Sequence, residues 1–231
     1  VEIKIIERKN SENTRQYIYR VLKENIMNLN LKPGEAVGEI ELSKILNVSR
    51  TPLREAIAQL TTEKLLNVFP QRGSFVSKIN LSLVEEAIFL RELCEHKILS
   101  IACKDDDTEV LIKNLEKNIE YQKITLNFNG DLQDFFALDN EFHHEFFKKY
   151  NKTNIWEAIK RLSIHYDRLR LLDALEKTNI QIILNQHIEI LKSIKTKDEK
   201  NIKNLIKGHL LNYREIIELY KTKYPLYFCE N

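Results

Sequence analysis

The 231 residues are 43% hydrophobic and 30% charged, with five Gly and four Pro, which leaves little room for long disordered linkers and fits two modest globular domains. No apolar run approaches the ~18 residues of a membrane-spanning helix, and residues 1–10 alternate charge with Ile instead of carrying the apolar core of a secretory signal. Cys94, Cys103 and Cys229 are too few and too scattered for a disulfide scaffold, so a cytoplasmic protein is expected, with Cys94 and Cys103 as small core residues of a helix. The net charge of +2 hides an asymmetry. Residues 1–78 hold 13 Lys/Arg against 9 Asp/Glu, net +4, and residues 79–231 hold 23 against 25, net −2. That sign difference favours nucleic acid as a partner of the first part, although the excess is small.

Tyr17, Ile18, Val21, Leu22, Ile26 and Leu29 recur at helical spacing and predict a first helix over 13–29. Leu31-Lys32-Pro33-Gly34 stops it. A short second helix is predicted over 39–46, with Ile40, Leu42, Ile45 and Leu46 as its apolar positions, and Asn47-Val48 as the following turn. Ser49 is a candidate N-cap of a third helix, with Pro52 in the first turn, where its missing N–H is harmless. Residues 66–69 and 74–77 alternate as two short strands around Pro70-Gln71-Arg72-Gly73. Three helices and a hairpin make a winged helix-turn-helix, assigned to residues 1–78. From residue 79 on, six amphipathic stretches, 83–102, 108–126, 131–150, 155–175, 179–195 and 200–220, predict an antiparallel six-helix bundle. The fold class is therefore mostly α.

In a helix-turn-helix the first turns of the second helix reach base edges in the major groove. Here they carry Arg50 and Arg54, four apart on one helix face. An Arg can grip guanine with two hydrogen bonds. Ser49 and Thr51 can cap the helix or hold phosphate, and Arg72 at the hairpin tip can reach backbone or minor groove. A basic end on a structural domain, or a winged helix that binds protein, would use the same core. Tyr17, the Leu31-Lys32-Pro33-Gly34 turn, Glu39, Leu42, the run Val48-Ser49-Arg50-Thr51-Pro52-Leu53-Arg54-Glu55-Ala56, Leu60 and Pro70-Gln71-Arg72-Gly73-Ser74-Phe75-Val76 together resemble the GntR family of bacterial regulators. One departure is Lys64, where the family usually has Gly before the first strand. The resemblance implies that Arg50, Arg54 and the wing Gly73 serve operator recognition.

Asp139 and His143 are also four apart, on one face of a helix and within reach of one ion. His187 and His209 lie on later helices, where spacing alone leaves them as buried or surface histidines. Three imidazoles with a carboxylate suit Zn²⁺, Ni²⁺, Mn²⁺ or Fe²⁺ better than the all-oxygen shells of Ca²⁺ or Mg²⁺. Residues 83–221 resemble the FCD ligand-binding domain of the FadR-like branch of that family, and six helices without an extra leading one look like its VanR-type subgroup. Arg91 and Glu95 match the opening helix, Asp139-x-x-Phe142-His143 the central motif, and the separation of His187 from His209 the last two histidines. Asn151-Lys152 stands where Gly-Asn is common. The resemblance implies that Asp139, His143, His187 and His209 hold a divalent transition metal, with Zn²⁺ first in order. His144, turned about 100° from His143, packs or faces solvent. Arg91, Arg161, Arg168 and Arg170 are candidates for meeting an anionic effector, Arg91 foremost, and His165 is a candidate pocket residue.

The expected function is a metabolite-responsive DNA-binding regulator, a repressor by family habit. It would be a homodimer on double-stranded operator DNA, with a small carboxylate-like effector at the metal and no membrane partner. Two alternatives stand beside it: a purely structural metal without an effector, and a metal-dependent hydrolase. The hydrolase leaves the DNA-reading half unexplained and lacks an H-E-x-x-H arrangement.

Overall fold

In the computed structural model, which describes residues 2–128, 130–175, 180–211, 214 and 217–229, the first helix, α1 (Thr14–Met27), begins at a capping box. The Asn13 side chain accepts from the Gln16 amide and the Gln16 side chain accepts from the Asn13 amide. Ile18, Val21, Leu22 and Ile26 of α1 are wholly buried, each worth about 1.5–3 kcal/mol of hydrophobic burial. They pack against α3 (Arg50–Thr62), which buries Leu53, Ala56, Ile57 and Leu60. Between them α2 (Glu39–Ile45) is only seven residues long. It buries Leu42, with Leu46 just beyond it, while Ile40 is 62% exposed, contrary to the apolar role expected of it.

Asn47 takes φ +50° at the turn between α2 and α3. Ser49 occupies the N-cap position of α3 with extended backbone, but its side chain makes no capping hydrogen bond. Lys64 follows α3 at φ +60°, the left-handed region that suits Gly. The wing is an antiparallel pair, β2 (Leu66–Phe69) and β3 (Gly73–Val76), in register Leu66↔Val76 to Phe69↔Gly73. Gly73, at φ +98°, lets the chain turn into β3.

A third strand, β1 (Ala36–Val37), flanks β3 and was not legible in the sequence. Two residues are too few to show alternation. It is set by the preceding turn: Gly34 at φ +83° donates its N–H to the Val76 carbonyl, and Val76 donates back to Glu35.

This first unit comprises Val1–Leu81 and also Glu218–Asn231. The sequence had placed 218–231 with the helical domain. Helix α11 (Ile217–Lys223) and the 3-10 turn Pro225–Tyr227 instead bring Phe228 beside Ile79 as a parallel bridge. Ile79 donates to the Tyr227 carbonyl and accepts from the Cys229 amide, and both Ile79 and Phe228 are buried.

The second unit, Ser82–Ile217, is helical. It holds α4 (Leu81–Lys104), α5 (Glu109–Asn127), α6 (Leu132–Lys149), α7 (Thr153–Leu162), α8 (Ile164–Leu175), α9 (Ile180–Lys195) and α10 (Glu199–Leu211). Within the described residues each of the six predicted stretches is mainly helical, but the fourth is divided at Ser163 and the sixth spans α10 and the start of α11. The Ser163 hydroxyl and amide both donate to the Ile159 carbonyl. Residues 212, 213, 215 and 216 of the predicted stretch 200–220 lie outside the described residues, as do the predicted separator 176–178 and Asn179. Asn151, where Gly-Asn is common, sits at φ +55° between α6 and α7, a conformation Asn tolerates. Helix α5 packs on α6 and α9, α9 on α10, and α6 on α7 and α8, around Phe135, Phe142, Phe146, Phe147 and Trp156. Cys103 is buried in this core and Cys94 only half-buried.

Candidate functional site

Helix α6 starts on an Asp131 cap and carries Asp139 and His143 on its inner face. His187 comes from α9 and His209 from α10. All four are buried, and one ligating atom of each lies within 4.8 Å of the others. His143 Nε2 and His209 Nε2 are 3.0 Å apart, and His187 Nε2 is 3.5 Å from Asp139 Oδ1.

The outer nitrogens explain this orientation. His143 Nδ1 lies 2.9 Å from Glu95 Oε2, His187 Nδ1 2.9 Å from Gln122 Oε1, and His209 Nδ1 3.0 Å from Gln186 Oε1. A carboxylate or an amide oxygen can only accept, so each Nδ1 carries a proton, and a ring that is neutral then turns its Nε2 lone pair inward. Gln122 is itself fixed, donating to Asn118 Oδ1, and Asn118 donates to the Leu138 carbonyl beside Asp139.

Burial pushes the His187 ring down to about 3 and the His209 ring well below its ordinary value, so both are neutral, as ligands must be. Burial alone would raise the Asp139 carboxyl, but the charges of Arg170 and the histidines hold it well below the usual carboxylate range. Glu95, also opposed by burial, is brought down to about 2 by Arg91 and His143.

These residues fit a divalent ion by their own chemistry. The Nε2 atoms of His143 and His209 face each other at 3.0 Å, a contact that needs a proton or a metal cation between two basic nitrogens. Both Asp139 oxygens and His187 Nε2 are buried without a hydrogen-bond partner, which is costly in a dry interior and is relieved by a bound cation.

Arg91 is buried on α4, its Nε 2.5 Å from Glu95 Oε1, so it reaches the cluster through the carboxylate that holds His143. Its guanidinium lies 5.4 Å from the Tyr166 ring and 6.0 Å from Trp156. His165 is buried on α8 with Nδ1 2.9 Å from Arg168 Nη2. Arg161 is exposed. His144 stacks on Trp156. Arg170 on α8 reaches the quartet directly, with Nη2 2.6 Å from Asp139 Oδ1. Gln122 and Gln186 carry no sequence signal, since an amide at helical spacing is ordinary until the fold shows what it faces.

In the first unit, Ser49, Arg50, Thr51, Arg54, Arg72 and Gly73 are all exposed. Arg50 and Arg54 share one partner, Glu39 Oε2 at the start of α2, at 3.3 and 2.9 Å. That carboxylate holds both guanidinium stems to one side of α3 while leaving them more than half exposed. Arg72 lies over the Phe69 ring at the wing tip.

The profile of bacterial regulatory proteins of the gntR family matches residues 14–76, and that of the FCD domain matches 86–212, more than half of the chain. The chain belongs to the GntR family. It is 30% identical over 215 residues to the HTH-type transcriptional repressor RspR of Escherichia coli (strain K12), covering 93% of each chain. It is 32% identical to an HTH-type transcriptional regulator of Streptomyces ambofaciens, over 95% of this chain and 92% of that one. The crystal structure of a GntR regulator from Rhodococcus sp. RHA1 superposes with a TM-score of 0.72 at 18% identity, over 89% of this chain and 98% of that one, and shares the fold. This GntR chain is a DNA-binding transcription regulator and not an enzyme, which removes the hydrolase alternative. Among the described residues no helix is long and apolar enough to cross a membrane.

Proposed function

We propose that this GntR regulator is a cytoplasmic repressor whose operator binding is set by a small anionic effector at a metal centre. The observation that carries the reading is the convergence of Asp139, His143, His187 and His209 from three helices, with both Asp139 oxygens and His187 Nε2 buried and without a hydrogen-bond partner among the described residues. They would hold one divalent transition metal, Zn²⁺ first, with Ni²⁺, Mn²⁺ and Fe²⁺ suited to the same donors. Such an ion supplies a Lewis-acidic position for an anion's oxygens. Arg91 favours an anionic occupant: it is buried, and its Nη2 has no hydrogen-bond partner. His165, buried on α8, would be a further residue of the effector pocket. Arg50 and Arg54 would read base edges, Ser49 and Thr51 phosphate, and Arg72 with Gly73 the backbone or minor groove of double-stranded operator DNA.

A homodimer would match a two-fold operator. The exposed face of α4 supports it: Phe89 is 66% exposed and Leu93, one turn on, 55%. Light scattering should show two chains per particle, and a Phe89→Glu, Leu93→Glu double variant should be monomeric. Domain roles follow as DNA reading by the first unit and metal, effector and dimer contacts by the second.

The testing experiment loads metal-stripped protein with Zn²⁺, titrates a panel of small carboxylates, and measures operator affinity with each binder. A binder that needs Zn²⁺ and shifts operator affinity about 5–150-fold is the expected result. A purely structural metal is the second reading, because four protein donors suffice for a tetrahedral shell. It is preferred if Zn²⁺ is retained and no carboxylate binds.

A further inference from the structure

Among the described residues, the shortest cation contact with the quartet comes from Arg170. Its Nη2 lies 2.6 Å from Asp139 Oδ1, the oxygen that also lies nearest His187 Nε2. Both residues are buried, Arg170 with 8% and Asp139 with none of its side chain exposed. The contact is an ion pair out of line for a hydrogen bond. A divalent ion among the four ligands would therefore share its carboxylate with a permanent positive charge. In a dry interior that arrangement repels strongly.

We propose that Arg170 is a cationic placeholder: it occupies Asp139 while the metal is absent, opposes metal binding, and is drawn off only when an anion bound at the metal gives its guanidinium a new partner. The inference rests on the metal-centre reading above. Among the described residues, the other carboxylate beside Arg170 is Asp167, and it is poorly placed. Arg170 Nη1 is 3.9 Å from Asp167 Oδ1, and Asp167 is already taken by Lys160 at 2.5 Å. The guanidinium is confined by two aromatic rings, Phe136 at 4.9 Å and Tyr166 at 5.5 Å. Tyr166 is fixed in turn, donating to the Leu210 carbonyl next to His209. The same ring carries Arg91, whose Nη2 is buried without a hydrogen-bond partner. Two guanidiniums thus flank Tyr166, one paired to a ligand carboxylate and one with a donor to spare. An anion seated there would draw Arg170 away from Asp139, so metal and anion should each tighten the binding of the other.

The test is a competition titration of Zn²⁺ against a chromophoric chelator, with the full chain stripped beforehand. Acetate serves as the anion probe and acetamide as its neutral counterpart, at matched ionic strength. Without anion, Arg170→Gln should bind Zn²⁺ about 5–150-fold more tightly than the unaltered chain. Acetate, but not acetamide, should tighten Zn²⁺ binding to the unaltered chain by a larger factor than it does in the variant, because only the unaltered chain has Arg170 to draw off. Arg170→Gln binding Zn²⁺ equally or more weakly while keeping its helical content would overturn the proposal. If that variant fails to fold, the unaltered chain decides: tight Zn²⁺ binding that is the same in acetate and acetamide also overturns it. Failure of the metal-centre reading looks different, because the unaltered chain would then bind no Zn²⁺ under any condition and Asp139→Asn would change nothing.

Discussion

Truncating His187 to Ala tests the metal centre through its effect on stability. A metal that binds only the folded chain stabilises it by RT ln(1 + [M]/Kd), about 2.7 kcal/mol at one hundred times Kd. For a chain of 231 residues that raises the melting temperature by about 5–11 °C, at roughly 2–4 °C per kcal/mol. His187 supplies one of four converging donors, and even outer partners of metal ligands are worth about 10–100-fold in affinity. A hundredfold loss at the same Zn²⁺ concentration leaves about 0.4 kcal/mol, or roughly 1–2 °C. The ring also packs, stacked on Phe142 with centroids 4.2 Å apart and hydrogen-bonded to Gln122, so His187→Ala costs stability without metal too. The readout is therefore the difference between the Zn²⁺ and EDTA melts of each protein, not either melt alone. Scanning calorimetry or circular dichroism gives it. A Zn²⁺ increment in His187→Ala as large as in the unaltered chain would refute the ligand assignment.

Arg54→Ala should weaken operator binding by roughly 1–3 kcal/mol and weaken binding to scrambled DNA much less, measured by anisotropy at fixed salt; equal losses would make it a phosphate contact. Lys64→Gly should raise the melting temperature, because relief of left-handed strain, about 1–2 kcal/mol, outweighs the roughly 0.5–1 kcal/mol of added chain entropy; a lower melting temperature would contradict the strain argument. Glu63 sits half-buried with Lys23 at 2.7 Å and the Tyr19 hydroxyl, which together lower its carboxyl although burial opposes them. A lowered folded value stabilises above the unfolded value of 4.5 and is lost as pH falls through the folded one, so Glu63→Gln should flatten the acid limb of a pH-stability curve there.

Much of the molecule follows from local signals. The periodicity of 13–29 and of the later amphipathic stretches marks helices because burial must repeat every 3.6 residues. Ser49, Arg50, Thr51 and Arg54 are exposed at the start of a helix because Ser and Pro52 can begin one and charged side chains stay in water. Asp139 and His143 share a face by helix geometry alone. Local pattern stops at contacts between distant segments. That His187 and His209 meet this pair depends on how α6, α9 and α10 pack, and no spacing encodes it. Gln122, Gln186 and Glu95 become orienting groups only once their oxygens stand against imidazole N–H groups. Phe228 joins Ile79, 149 positions away, through backbone hydrogen bonds that any residue pair could make. The pairing of Arg170 with Asp139 is of the same kind. In the sequence they are two of many charges on helices, and only their burial side by side turns them into an ion pair.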